Sequence, residues 1–233
     1  MKQPLFPAKA RIFSGSMLKL IAVLSMIIDH IASHFIDRQL VLFSVGSVNF
    51  TLYGLMRGFG RWAFPLFAFL MIEGFLHTRS RLRYGVSLGV FALISELPWN
   101  LAHSGTWFFG GQNVFFTLFF GYLGLCVLEY WKKLPVLQFF TIIALAMGTV
   151  LLRTDFSPHG FAFIILLYLL REHEIARTMT GLLLNNAWWV MPSFAIMSLY
   201  NGKRGFIKGK VLKYAFYAIY PLHLLVIYFF KFR

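Results

Sequence analysis

Residues 18–32 read LKLIAVLSMIIDHIA, an apolar run broken near its end by Asp29 and His30. A run of this kind is a membrane-helix candidate, and an Asp at the centre of such a helix costs about 2.5–3.5 kcal/mol on insertion scales. Intramembrane ionisable groups face a protein interior or a polar cavity and mark function by default. The pair is therefore the starting point for both fold and chemistry.

The rest of the chain supports a membrane setting. Of 233 residues, 59% are hydrophobic and 13% charged, with a mean hydropathy of +0.71. A soluble domain cannot hide that much apolar surface. The formal net charge of +14 does not point to nucleic acid, because the cations gather in short runs between apolar segments. Arg79, Arg81 and Arg83 form one run, Lys132 and Lys133 a second, and Lys203, Arg204, Lys208, Lys210 and Lys213 a third. Cytoplasmic loops look like this under the positive-inside rule.

About eight membrane segments are expected, near 18–36, 61–77, 82–103, 113–131, 135–152, 159–171, 179–200 and 213–230. The fold class is an all-α polytopic transmembrane helical bundle, with residues 1–233 as one domain. Residues 37–60 read as a connector with a short interfacial piece. Lys9 and Arg11 before the first apolar run resemble a signal peptide, but the lack of an A-x-A site predicts a retained first helix. The lone Cys126 reads as a small buried hydrophobe. Eight simple spans starting from the inside put the basic 201–213 loop outside, against the charge rule. The sequence leaves two explanations: one of the fifth to seventh segments is miscounted or re-entrant, or the loop folds back.

Lys19 and His30 lie eleven residues apart, close to three helical turns, so they share a face about 16 Å apart along the axis. Asp29 and His30 are adjacent and cannot face each other on a helix, which sends each to partners on other helices. The second segment brings Arg61, Pro65 in its first turn, and then Glu73 and His77 four apart on one face. Glu73 needs a partner at that depth; His77 reads equally as interface or site. Glu96 stands two residues before Pro98, a kinked polar spot. Gln112 and Asn113 open the fourth segment, Asn113 either as an N-cap or as a substrate contact. In the last segment Tyr217, Tyr220 and His223 follow one stripe around Pro221. The turn Tyr200-Asn-Gly-Lys-Arg-Gly205 either presents backbone N–H groups, Lys203 and Arg204 to phosphates, or is an ordinary basic turn. No P-loop, GxGxxG, HExxH, CxxC or GxSxG pattern occurs, and no metal site is expected.

Three ordered blocks carry a family resemblance: Met17-Leu-Lys-Leu-Ile-Ala through Ile-Asp-His30; Gly60-Arg-Trp-Ala-Phe-Pro through Glu73-Gly-Phe75; and Leu199-Tyr-Asn-Gly-Lys-Arg-Gly205 with Tyr220-Pro-Leu-His223. Leu93-Ile-Ser-Glu-Leu-Pro98 and Gln112-Asn-Val-Phe-Phe-Thr117 accompany them. Together they resemble the TraX family, named for the membrane enzyme that acetylates the N-terminus of conjugative F-pilin and including fimbrial assembly proteins. Lys19-x10-His30 is also similar to the basic-x10-His pattern of acyltransferase-3 type enzymes, with Lys where those usually have Arg.

The resemblance implies a multi-pass protein of the bacterial inner membrane, in contact with lipids. Its activity would be an acyltransferase's, with acetyl-CoA as donor and a pilin, fimbrial subunit or other envelope component as acceptor. His30 would be the general base, with Asp29 or Glu73 orienting or balancing it and Tyr220 or His223 donating to the oxyanion. Lys19, Arg61, Lys203 and Arg204 would hold the donor's phosphates. The alternatives are a non-catalytic assembly factor for fimbriae or pili, and a small transporter relaying protons through Asp29, Glu73 and Glu96. The oligomeric state is not legible.

Overall fold

The computed structural model describes residues 5–185 and 188–233; Asn186, expected within the seventh segment, lies outside them. The chain is mostly helical. In order it forms α1 (Gly15–Phe35), a hairpin of β1 (Val41–Val45) and β2 (Val48–Thr51), α2 (Leu52–Gly60), α3 (Ala63–His77) and α4 (Arg81–Ser104). Then come α5 (Val114–Tyr130), α6 (Pro135–Leu151), α7 (His159–Leu169), α8 (Glu174–Asn185), α9 (Met191–Ser198) and α10 (Gly209–Phe232). Two compact units divide it: Met1–Leu70 with Glu174–Gly209, and Met71–His173 with Lys210–Arg233.

In the first unit α1 shows why an almost wholly apolar helix still has two faces. Leu18, Ala22 and Met26, spaced by four, are 6% exposed or less, whereas Leu20 and Leu24 keep 42% and 57%. Such a stripe packs on protein and leaves the other side for lipid. Ser14 caps the helix, its side chain accepting from Met17 N–H. The connector expected at 37–60 instead holds the hairpin and α2, which Thr51 caps by accepting from Gly54 N–H at 3.0 Å. Arg61 is thus the C-cap of α2 rather than the start of the next helix.

In the second unit the helix directions can be read from contacts. Lys213 at the start of α10 sits 5.7 Å from the Tyr84 ring near the start of α4. Lys231 at its end donates to Ala102 O at 3.4 Å near the end of α4. The two helices therefore run parallel. α5 returns alongside α4, Tyr122 donating its hydroxyl to Arg81 O at 2.6 Å. α5 and α7 finish together, where Tyr168 donates to Glu129 and Lys132 donates to the other Glu129 oxygen at 2.9 Å. Arg81 lies over the Phe75 and Tyr130 rings, and Arg171 over Tyr168. One end of this unit thus gathers Arg81, Lys132, Arg171 and Lys213.

Four helical stretches are long and apolar enough to cross a membrane: Gly15–Phe35, Leu52–His77, Arg81–Ser104 and Val211–Phe232. The chain is a membrane protein. The eight-segment expectation meets helices of 17, 17 and 11 residues at α5, α6 and α7, short of the roughly 20 that a bilayer asks for. The expected seventh segment is not one helix. α8 ends at Asn185, a 3-10 turn covers Trp188–Val190, and Pro192 opens α9. A Cβ on Gly181 would enter the Phe194 ring, so this glycine sets the close approach of α8 to α9. Arg177, 6% exposed, donates to Ser198 Oγ at 3.3 Å across the same pair.

The chain leaves the second unit after α7 and re-enters it at α10 on the same end. With that arrangement the charge rule expects residues 174–209 to make no net crossing. Cysteines placed at Arg83, Lys133 and Val211 in a Cys126→Ser background should react with an impermeant maleimide from one side of the membrane. One placed at Phe108, 88% exposed, should react from the other. Labelling of Val211 from the Phe108 side would contradict this arrangement.

Candidate functional site

The first unit places the N-terminus of α1 against the Asn-Gly turn. Phe13 N–H donates to Leu199 O at 3.1 Å and Asn201 N–H to Phe13 O at 2.9 Å. The first α1 donors, Gly15 and Ser16 N–H, go to Lys203 O at 2.8 Å and Arg204 O at 2.9 Å. Ser16 Oγ donates to Arg204 O at 2.9 Å and accepts from Ile207 N–H at 2.7 Å. Orphan donors at a helix start must find acceptors, and this loop supplies them. Gly205, with φ +85, lets the strand pass; a Cβ there would lie 2.7 Å from the Ser16 Cβ.

The arrangement changes the reading of the turn. Lys203 N–H is spent on Asn201 Oδ1 at 2.9 Å, and the helix N-terminus is spent on two loop carbonyls. What this corner turns outward is the cationic side chains of Lys203 and Arg204, both exposed. Lys19 follows one turn into α1.

Further along α1, Asp29 takes its partner from another helix. Its Oδ2 accepts from Arg57 Nη1 on α2, and Arg61, one turn on, also acts on it electrostatically. Asp29 Oδ1 is buried with no hydrogen-bond partner among the described residues. A Cβ on Gly60 would collide with the Asp29 side chain, so the glycine makes room for the carboxylate. Just past α2, Trp62 Nε1 donates to Trp189 O at 2.7 Å, and within α2 a Cβ on Gly58 would meet the Trp189 ring.

His30 occupies the next position round α1 and is half-buried. The His34 ring stands edge-on at 6.3 Å, and its Nδ1 donates to the His30 carbonyl at 2.9 Å. Ser33 Oγ donates to the same carbonyl at 3.0 Å. α1 is continuous from Gly15 to Phe35, so the Lys19 and His30 stripe expected from their spacing is present. Arg57 was missed by the sequence reading because it fell in the supposed connector. Its signal was there: Arg57 and Arg61 are four apart, and Asp29 needed a cation.

The second unit holds the other candidates. Glu73 is half-buried and lies 3.8 Å from His77 Nδ1, which also donates to the Glu73 carbonyl at 2.9 Å. Tyr220, 4% exposed, packs its ring on Phe115 at 5.2 Å and beside His223 at 5.5 Å. His223 Nδ1 donates to Ile219 O at 2.9 Å. Asn113 is the N-cap of α5, accepting from Phe115 N–H at 3.0 Å. Its Nδ2 donates to Glu96 at 2.7 Å and to Ala92 O at 2.8 Å, which ties α5 to α4. With its amide nitrogen turned to the carboxylate, Gln112 donates to both Glu96 oxygens at 3.1 and 3.3 Å. Of the two readings of Asn113, the cap accounts for its contacts. Lys19, Asp29, His30, Arg61, Lys203 and Arg204 thus belong to the first unit, and Glu73, Tyr220 and His223 to the second.

Comparison with known proteins adds a family. The family model described as TraX protein matches residues 14–231. A probable fimbrial assembly protein, FimC of serogroup H1 from Dichelobacter nodosus, is 28% identical over 244 aligned residues. That alignment covers 91% of this chain and 93% of the relative. No solved structure matches. The matched range takes in the helix carrying Asp29 and His30, the turn clamped on its N-terminus, and the Tyr220–His223 stripe, and the chain belongs to the TraX family.

Proposed function

We propose that this protein is a membrane-embedded acyltransferase that moves an acetyl group from acetyl-CoA to a pilin, fimbrial subunit or other envelope component. It would act in the bacterial inner membrane and cross it several times. The observation that carries the reading is the α1 stripe: exposed cations at the clamped N-terminus, Lys19 one turn in, and His30 about 16 Å further along. A polyanionic donor with its thioester on a long flexible arm suits that layout. Lys203, Arg204 and Lys19 offer charge-assisted bonds to phosphate oxygens, and Arg61 adds a cation beside Asp29.

The chemistry asked of the chain is modest. His30 takes the proton as the acceptor amine or hydroxyl attacks the thioester carbonyl. The new N–C or O–C bond forms, the C–S bond breaks, and His30 returns the proton to the leaving thiolate. An imidazole suits proton traffic in both directions near neutral pH. Asp29, held by Arg57, fixes the turn of α1 on which His30 stands.

Kinetics with acetyl-CoA test the donor half. Lys203→Ala and Arg204→Ala should each raise KM for acetyl-CoA by about 10-fold or more, the equivalent of a charge-assisted bond of ~1.5–3 kcal/mol, with kcat little changed. An unchanged KM in the double variant would remove this corner from donor binding. A second reading, a non-catalytic assembly factor, draws support from the fimbrial relative's name. It requires that no acyl group is transferred at all.

A further inference from the structure

The hairpin between α1 and α2 has an apolar face that the described residues leave largely open. β1 and β2 pair antiparallel around Gly46, which has φ +62, and they form the whole of a two-stranded sheet with an open edge on each strand. Phe43 pairs with Phe50, Ser44 with Asn49 and Val45 with Val48. Successive residues of a strand alternate faces. One face therefore carries Phe43, Val45 and Phe50, with the two rings stacked at 4.8 Å. The other carries Ser44 and Asn49, joined by Ser44 Oγ donating to Asn49 Oδ1 at 2.6 Å. Phe43 is 51% exposed and Val45 63%. From Phe43 to Phe50 the ribbon is amphipathic with its apolar side open, while beyond the bulge between Val41 and Phe43 the apolar Val41 and Leu42 are exposed at 45% and 50%.

Its tethers decide what covers that side. α1 ends at Phe35 and α2 starts at Leu52, and both belong to stretches long and apolar enough to cross a bilayer. Only residues 36–40 separate α1 from β1, and β2 runs directly into α2. The hairpin is therefore held at the level where two membrane helices meet the headgroups. It cannot sink into hydrocarbon, because its open edges would leave N–H and C=O groups unpaired at several kcal/mol each. It gains little by standing in water, where an isolated two-stranded hairpin is marginal. Arg38, stacked 5.4 Å from the Tyr53 ring at the hairpin's base, supplies the cation and aromatic typical of that depth.

We propose that residues 41–51 are an interfacial anchor lying flat on the bilayer at the end of α1 opposite Lys19. Phe43, Val45 and Phe50 enter the headgroup–acyl boundary, and Ser44 and Asn49 face water. Amphipathic elements bind interfaces in this way, through buried apolar area on one side only.

The test uses the full-length Cys126→Ser protein in vesicles of phosphatidylethanolamine and phosphatidylglycerol. Nitroxide labels go one at a time on Phe43→Cys, Ser44→Cys, Val45→Cys, Asn49→Cys and Phe50→Cys. Labels at 43, 45 and 50 should collide with oxygen and be shielded from a water-soluble nickel chelate. Those at 44 and 49 should show the reverse, so the preference changes sign between neighbours. Nickel access at all five positions would overturn the proposal by placing the hairpin in water. Shielding from both reagents at 43 and 50, with dipolar broadening between copies, would overturn it in favour of a protein partner, a second copy of this chain.

Discussion

On the proposed function, His30→Ala protein should reach the membrane at the wild-type level and should transfer acyl groups about 10²–10⁴-fold more slowly, the usual loss on removing a general base. The bonds from Ser33 Oγ and His34 Nδ1 end on the His30 backbone carbonyl, which the truncation keeps. The helix end therefore survives the truncation. Transfer measured as thiol release from acetyl-CoA, beside an immunoblot of the membrane fraction, separates the two quantities. Full activity in this variant would remove His30 from the chemistry. Lost activity in step with lost protein would make it structural, as the assembly-factor reading requires.

Arg57→Ala should behave in the opposite way, losing the protein itself. Breaking a buried ion pair by deleting one partner costs about 3–5 kcal/mol, because the other charge is left stranded. Side-chain exposures of 26% for Arg57 and 20% for Asp29 put this pair near the lower end of that range. Most domains are stable by only about 5–15 kcal/mol, so a loss of this size lowers the folded fraction sharply. Asp29→Asn should suffer less, and Arg57→Ala combined with Asp29→Asn should recover part of the stability lost by Arg57→Ala alone. Thermal aggregation in detergent, followed by size-exclusion chromatography, reads this double-mutant cycle. Additive losses would show that the two side chains do not act as a pair.

Much of the helical framework was legible because apolar runs and their caps are local signals. The expected limits 82–103, 113–131 and 135–152 fall within a residue of α4, α5 and α6, and Asn113 marks the start of α5 by capping it. The hairpin and α2 were not legible. Gly46, Asn49, Gly54 and Gly58 read as a connector, while Gly58 and Gly60 are there for close packing against Trp189 and Asp29. The break in the seventh segment depends on Gly181 meeting Phe194, a contact that periodicity does not carry.

The candidate site divides in the same way. The cost of Asp29 in an apolar run drew attention to α1 from sequence alone. That Arg57 answers Asp29, and that the turn at 199–207 spends its carbonyls on Gly15 and Ser16, are contacts between residues far apart in the chain. Glu73, Tyr220 and His223 drew notice by the same argument, and the structure assigns them to the second unit.

The most direct test is intact-mass spectrometry of surface pilins and envelope glycans from three strains: wild type, a deletion of this gene, and His30→Ala. An acyltransferase leaves one envelope species lighter by an acetyl group, about 42 Da, in both the deletion and the His30→Ala strain. That species names the acceptor. Masses unchanged in the deletion, with pili missing or unassembled, would contradict the account and make this protein an assembly factor.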